Sequence, residues 1–194
     1  MKTNKLQAKD LVNIGIYAGI YLVLTCVLAF LGMIPIFYPL LAVITPIIGG
    51  IPFMLFLTKA RKFGMITIMS TLMGIVMLLV GMGYFTMITS IVFGILADFI
   101  WKSGNYVSAK ASVLTSAVFS LWCIGNYLPI YVIRDSHYKS VIAGYGKEYA
   151  DTYMSLFPNW MLPVLIIACF ISGIIGGFIG KALLKKHFKK AGIA

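Results

Sequence analysis

The sequence predicts an all-α integral membrane protein: a bundle of six transmembrane helices with the N-terminus and C-terminus both cytoplasmic. Three observations carry this. The 194 residues are 61% hydrophobic and only 11% charged, against about 25% charged in an ordinary soluble domain. The apolar residues fall into runs long enough to cross a bilayer, which takes about 20 residues of helix. The basic residues collect on one side of the chain that those runs define. A water-soluble fold of this size still exposes much of its area and has nowhere to hide so much apolar surface.

Taken in order, Lys2, Lys5 and Lys9 precede the first run, 11–31. It is longer than a signal-peptide core and no small-x-small cleavage site follows, so a retained span is expected. Gly32 and Pro35 separate it from the second run, 36–57. The stretch 63–101 is uncharged except for Asp98. As one helix it would be roughly 58 Å long, against about 30 Å of hydrocarbon. Gly81-Met82-Gly83 is the natural break and gives spans 63–80 and 84–101. The fifth span is 112–133 and the sixth 160–180, so that residues 1–194 form a single membrane domain.

The net charge of +11 is then a topology signal. Lys2, Lys5, Lys9, Lys59, Arg61, Lys62, Lys102, Lys110, Lys181, Lys185, Lys186, Lys189 and Lys190 share one side, and only Arg134, Lys139 and Lys147 lie on the other. By the positive-inside rule the thirteen are cytoplasmic. No nucleic acid is needed to explain them, although the basic tail suits anionic lipid. The minority side holds the one long loop, 134–159, with Tyr138, Tyr145, Tyr149, Tyr153 and Phe157 and balanced charges. We expect it to fold back over the mouth of the bundle rather than float.

Three features shape the spans. In span six "SGIIGGFIGK" sets Ser172, Gly176 and Gly180 four residues apart, with Gly173 and Gly177 beside them. In span one "GIYAG" sets Gly15 and Gly19 at the same spacing, with Ala18 alongside. Small residues four apart let another helix come close. For span six we expect that helix within the chain, for span one in a partner. Span two carries Pro39, Pro46 and Pro52 with Gly49-Gly50, and a helix with three prolines is expected to bend or break.

Catalytic chemistry is missing, and an enzyme is not expected. "GGFIGKAL" misses the phosphate-binding loop pattern at Ile175 and Ala182, and five acids leave no paired carboxylates. Cys26, Cys123 and Cys169 lack metal-ligand spacing and read as small hydrophobes. His137 and His187 stand alone. Asp98, near Trp101 and Lys102, reads as an ion pair at a helix end. What converges is at the outer ends of the spans: Trp122, Asn126, Tyr127, Tyr131, Arg134 and Asp135 on or after span five, Tyr84 on span four, Asn159 and Trp160 at span six, and Tyr38 on span two. They form either an aromatic belt or a ligand pocket. Asn126 favours the pocket, because an amide at that depth needs partners.

Six spans, both ends inside, a small-xxx-small stripe on span one and no ATPase resemble an S component of an energy-coupling factor (ECF) transporter. "LVNIGIYAGIY", "FSLWCIGNYLPIYVIRD", "YGKEYADTY" and "MLPVLIIACFISGIIGGFIGKALLKKHFKK" resemble the MptD-like (Trep_Strep) group of S components. The resemblance implies a multi-pass cell-membrane subunit that captures a micronutrient, often a vitamin, outside and topples to release it inward. Its partners would be a T component and two cytoplasmic ATPases, which use the ATP; no cofactor is implied in this chain. The family's docking stripe is often Ala-xxx-Ala, and Gly15, Ala18 and Gly19 stand in that place. The family also often gates with the loop between spans one and two, short here, so 134–159 would share the gating. Haem or another tetrapyrrole is a candidate cargo, as some related systems take up haem; Tyr, Met and His137 are iron-ligating types. The alternatives are a self-sufficient secondary transporter or exporter, which should carry a mid-membrane ionisable group, and a structural membrane protein, which would lack a pocket.

Overall fold

The computed structural model describes residues 5–188, with side chains as far as Lys186. Lys2, Lys189 and Lys190, assigned above to the basic side, lie outside the described residues, as does the side chain of His187. All regular structure among the described residues is helical. In chain order it comprises α1 (Ala8–Ala29), 3-10 turns Phe30–Met33 and Pro35–Phe37, α2 (Leu41–Lys59), α3 (Met65–Leu79), α4 (Tyr84–Ser103), α5 (Ala109–Ser120), a 3-10 segment Leu121–Asn126, α6 (Leu128–Val132), α7 (Arg134–Tyr145), α8 (Lys147–Ser155) and α9 (Met161–Leu183), which ends in a π turn Leu184–Phe188.

Among the described residues, four segments are long and apolar enough to cross a membrane: Ala8–Met33, Leu41–Lys59, Tyr84–Ser103 and Met161–Lys186. The other two expected spans are less regular. α3 has 15 residues, a length of roughly 22 Å. The fifth is α5 and α6 joined by the 3-10 segment. This also corrects the expectation for span two. Pro39 precedes α2, and α2 runs on through Pro46 and Pro52; the break falls in span five instead.

Close backbone approach at glycines builds the bundle. A Cβ on Gly176 would sit 2.3 Å from the Pro46 carbonyl oxygen, and one on Gly50 2.5 Å from the Gly176 carbonyl carbon. On the next row, a Cβ on Gly173 would meet Ala117 Cα at 2.7 Å. α9 is therefore wedged between α2 and α5, which suits small residues where no hydrophobic force draws helices together in lipid. The α3–α4 hairpin closes in the same way: Gly94 lies against Ser70, Gly74 against Ser90, and Ser70 Oγ donates to the Ser90 carbonyl at 2.5 Å.

One end of the bundle is basic and tightly tied. Lys62 Nζ pairs with Asp10 Oδ2 at 2.7 Å and donates to the Lys5 carbonyl at 2.9 Å. Trp101 Nε1 donates to the Ala60 carbonyl at 2.6 Å. Asp98 belongs to this end, but its expected ion pair is replaced by a helix cap. Its Oδ2 accepts from the backbone N–H groups of Gly64 (3.1 Å) and Thr67 (2.8 Å) and from Thr67 Oγ1 (2.6 Å). It thereby satisfies donors at the start of α3 that no intrahelical carbonyl can reach. Lys102 lies instead over the Phe63 ring. The opposite end carries α7 and α8.

Candidate binding site

The site begins with the break in span five. Pro129 has no N–H to give the Gly125 carbonyl four residues back, and its ring disfavours helix there. Residues 121–126 tighten into 3-10 geometry just before it. Two carbonyls along this stretch take side-chain donors: Thr89 Oγ1 donates to Trp122 O at 3.0 Å, and Cys169 Sγ to Ser120 O at 3.2 Å. Gly125 lets this segment lie against α4, since a Cβ there would come within 2.2 Å of Thr89 Oγ1. The result presents Asn126 beside α4, where its Oδ1 accepts from Thr86 Oγ1 at 2.8 Å.

Above Asn126 lies a cavity of about 500 Å³, within the usual size for a small-molecule site. Its floor includes Trp122, Cys123, Asn126 and Tyr127. Its sides come from α1 at Thr25 and Cys26, from Tyr38, and from the Gly81–Gly83 turn. Its roof is α7 and α8, contributing His137, Ser140, Tyr145, Tyr149 and Tyr153. The loop 134–159 is thus a helical hairpin folded over the mouth, as expected of it. It turns at Gly146, whose φ of +85° suits glycine.

Two clasps hold the hairpin down. Tyr149 Oη donates to the Gly32 carbonyl at 2.5 Å, tying α8 to the turn after α1. Arg134 donates to the carbonyls of Phe157 (3.1 Å) and Met154 (3.2 Å), at the α8 C-terminus, where a cation is favoured. Between the clasps, Tyr38 is packed edge-on by Tyr127 and Tyr153, with ring centroids 5.4 and 5.0 Å away. His137 Nε2 sits 3.2 Å from Tyr153 Oη. Burial holds the His137 imidazole below its usual pKa and pushes the Tyr153 phenol up, so both are uncharged near neutrality.

Of the ten residues singled out from the sequence for a pocket, five line this cavity: Tyr38, Tyr84, Trp122, Asn126 and Tyr127. Tyr127 Oη is turned to the Tyr38 carbonyl at 3.0 Å, and Trp122 is fully buried. The other five lie elsewhere. Tyr131 Oη is buried without a partner among the described residues. Arg134 serves the α8 carbonyls and not Asp135, and both face a shallow surface dent with Asp151. Asn159 and Trp160 are exposed at the start of α9. On α1, Gly15 and Gly19 have nothing within 4 Å of a built Cβ, whereas Ala18 is buried against the bundle. The roof aromatics were legible as an aromatic loop expected over the mouth, but not their division between two helices: Tyr145 closes α7, while Tyr149 and Tyr153 lie four apart on one face of α8.

A family model described as "Hypothetical bacterial integral membrane protein (Trep_Strep)" matches residues 8–190. The chain belongs to the Trep_Strep family. No curated protein and no solved structure matches it. With its apolar helices, this Trep_Strep chain is a multi-pass membrane protein. Within it, the match runs from the first turn of α1 past the end of α9, so the cavity, the hairpin and both glycine stripes all fall inside the family's span.

Proposed function

We propose that this Trep_Strep protein is the substrate-binding S component of an ECF-type ABC importer. In this reading α3 and the broken α5–α6 segment complete six crossings, with both termini cytoplasmic. The observation that carries it is the cavity of about 500 Å³ roofed by α7 and α8, at the end opposite the basic cluster around Lys62. The positive-inside rule makes the roofed end the outer one. A vitamin-like micronutrient would enter by lifting the hairpin, and the chain would carry it inward with a T component and two ATPases docked from outside this chain. α1 supports the partner role: it is the least buried of the four long helices, and Gly15 and Gly19 face away from the bundle. The chain itself would bind and move, without catalysis and without a resident cofactor.

A self-sufficient exporter finds less support. The buried carboxylate Asp98 caps α3 at the basic end rather than sitting by the cavity. Co-expression with a T component and its ATPases tests the reading. Stable co-purification and ATP-dependent uptake of a micronutrient into proteoliposomes are expected. A chain that transports alone, or that assembles with no T component of its host, contradicts it. Cysteine at Lys147 should label from outside, and at Lys186 only after permeabilisation.

A further inference from the structure

We infer that the cavity takes an uncharged molecule built on a flat aromatic ring system, held by ring edges from the roof and by a hydrogen bond from Asn126 at the floor. This rests on reading the cavity as the cargo site, and goes beyond it by naming the class of cargo.

Charge comes first. Among the described residues no Asp, Glu, Lys or Arg lines the cavity. Two ionic groups of the hairpin are committed elsewhere. Arg134 is spent on the Met154 and Phe157 carbonyls, and Asp151 accepts from Tyr138 on the outer face. An ion entering this space would give up its water and find no counter-ion, which costs far more than its apolar contacts return. A carboxylate, phosphate or ammonium inside the cavity is therefore strongly disfavoured.

Shape comes second. Tyr145, Tyr149 and Tyr153 form a stacked column along the hairpin, with centroids 4.7 and 6.0 Å apart and planes within 23° and 19°. A column stacked face to face meets its surroundings with ring edges. Aromatic edges carry partial positive charge and pack best on a π-face. Phe85 adds aromatic area on the walls. The polar contact is specific. Asn126 Oδ1 is occupied by Thr86, while Asn126 Nδ2 has no partner among the described residues. It offers two donors, so the cargo should present an acceptor atom such as a carbonyl oxygen or ring nitrogen.

One ring system in three charge states tests this: acridine carboxamide (neutral), acridine carboxylate (anion) and aminoacridine (cation). Each is titrated calorimetrically into the full chain in detergent, with empty micelles subtracted. The carboxamide should bind saturably, and both ions at least about tenfold more weakly. Asn126→Asp keeps an acceptor for Thr86, so the fold should survive. It should weaken the carboxamide and admit aminoacridine. Equal binding of either ion to the wild-type chain, binding of none of the three, or an unchanged preference in Asn126→Asp overturns the inference. Assembly with a T component does not use the cavity, so failure there and failure here are separable.

Discussion

Two glycine stripes with the same spacing meet opposite fates. On α9, Gly176 and Gly180 are filled by α2, with the Gly50 carbonyl oxygen 2.8 Å from a Cβ built on Gly180. On α1, Gly15 and Gly19 have nothing within 4 Å. Both sequences permit close helix approach, and neither says what approaches. The α9 partner is supplied in the chain because Gly50 and the backbone of Pro46 and Ile47 on α2 take up Gly176 and Gly180 at close range. α1 instead leaves Val12, Ile16, Val23 and Val27 open around its glycines. In this reading one stripe assembles the fold and the other is held ready for another protein.

Substitutions sharpen the contrast. Gly176→Ala should be the most damaging, because the new methyl meets backbone from Pro46 and Ile47 that cannot move aside. A loss near the top of the usual overpacking range of about 1–3 kcal/mol is expected, read as a lower unfolding temperature in detergent. A variant as stable as the parent would mean that α2 and α9 are not so close. Gly177→Ala should cost much less. Its nearest neighbours, Ser116 Cβ and Val113 Cα, lie at 3.2 and 3.3 Å, so the strain nearly cancels the gain of about 1 kcal/mol in helix propensity. Gly19→Leu should leave the stability of the isolated chain unchanged while blocking co-purification with a T component. Destabilisation by Gly19→Leu would show that α1 packs within the chain after all; normal assembly and transport would show that α1 is not the docking face.

The same contrast explains what the sequence could and could not reveal. Apolar runs and the placement of Lys and Arg marked the four long helices, because burial in lipid acts on each helix by itself. The α3–α4 turn was readable because Gly81 and Gly83 carry the positive φ it needs. The fifth span was not read as broken. Its cause, Gly125 with Pro129, is weaker in sequence than the three prolines of span two, yet the break is decided by contact with Thr86 and Thr89 on α4. Arg134 was legible as important but not in its role. Its partners are backbone carbonyls 20 and 23 residues away, which leave no residue-type signature. Asn126 was legible because an amide at membrane depth needs polar partners, and the structure supplies one for Oδ1 at Thr86.

In the proposed reading, cargo is bound under the hairpin by Asn126, and Arg134 acts only on the hairpin. The most direct measurement is mass spectrometry of the small molecule that co-purifies with the chain, followed by calorimetry of that molecule with Asn126→Ala and Arg134→Ala. Loss of a buried hydrogen bond costs about 1–3 kcal/mol, so Asn126→Ala should weaken binding roughly 5- to 150-fold. Arg134→Ala should change affinity far less while making the 134–159 hairpin easier to proteolyse. Unchanged affinity in Asn126→Ala, or a larger loss in Arg134→Ala with the hairpin still protected, would contradict the account.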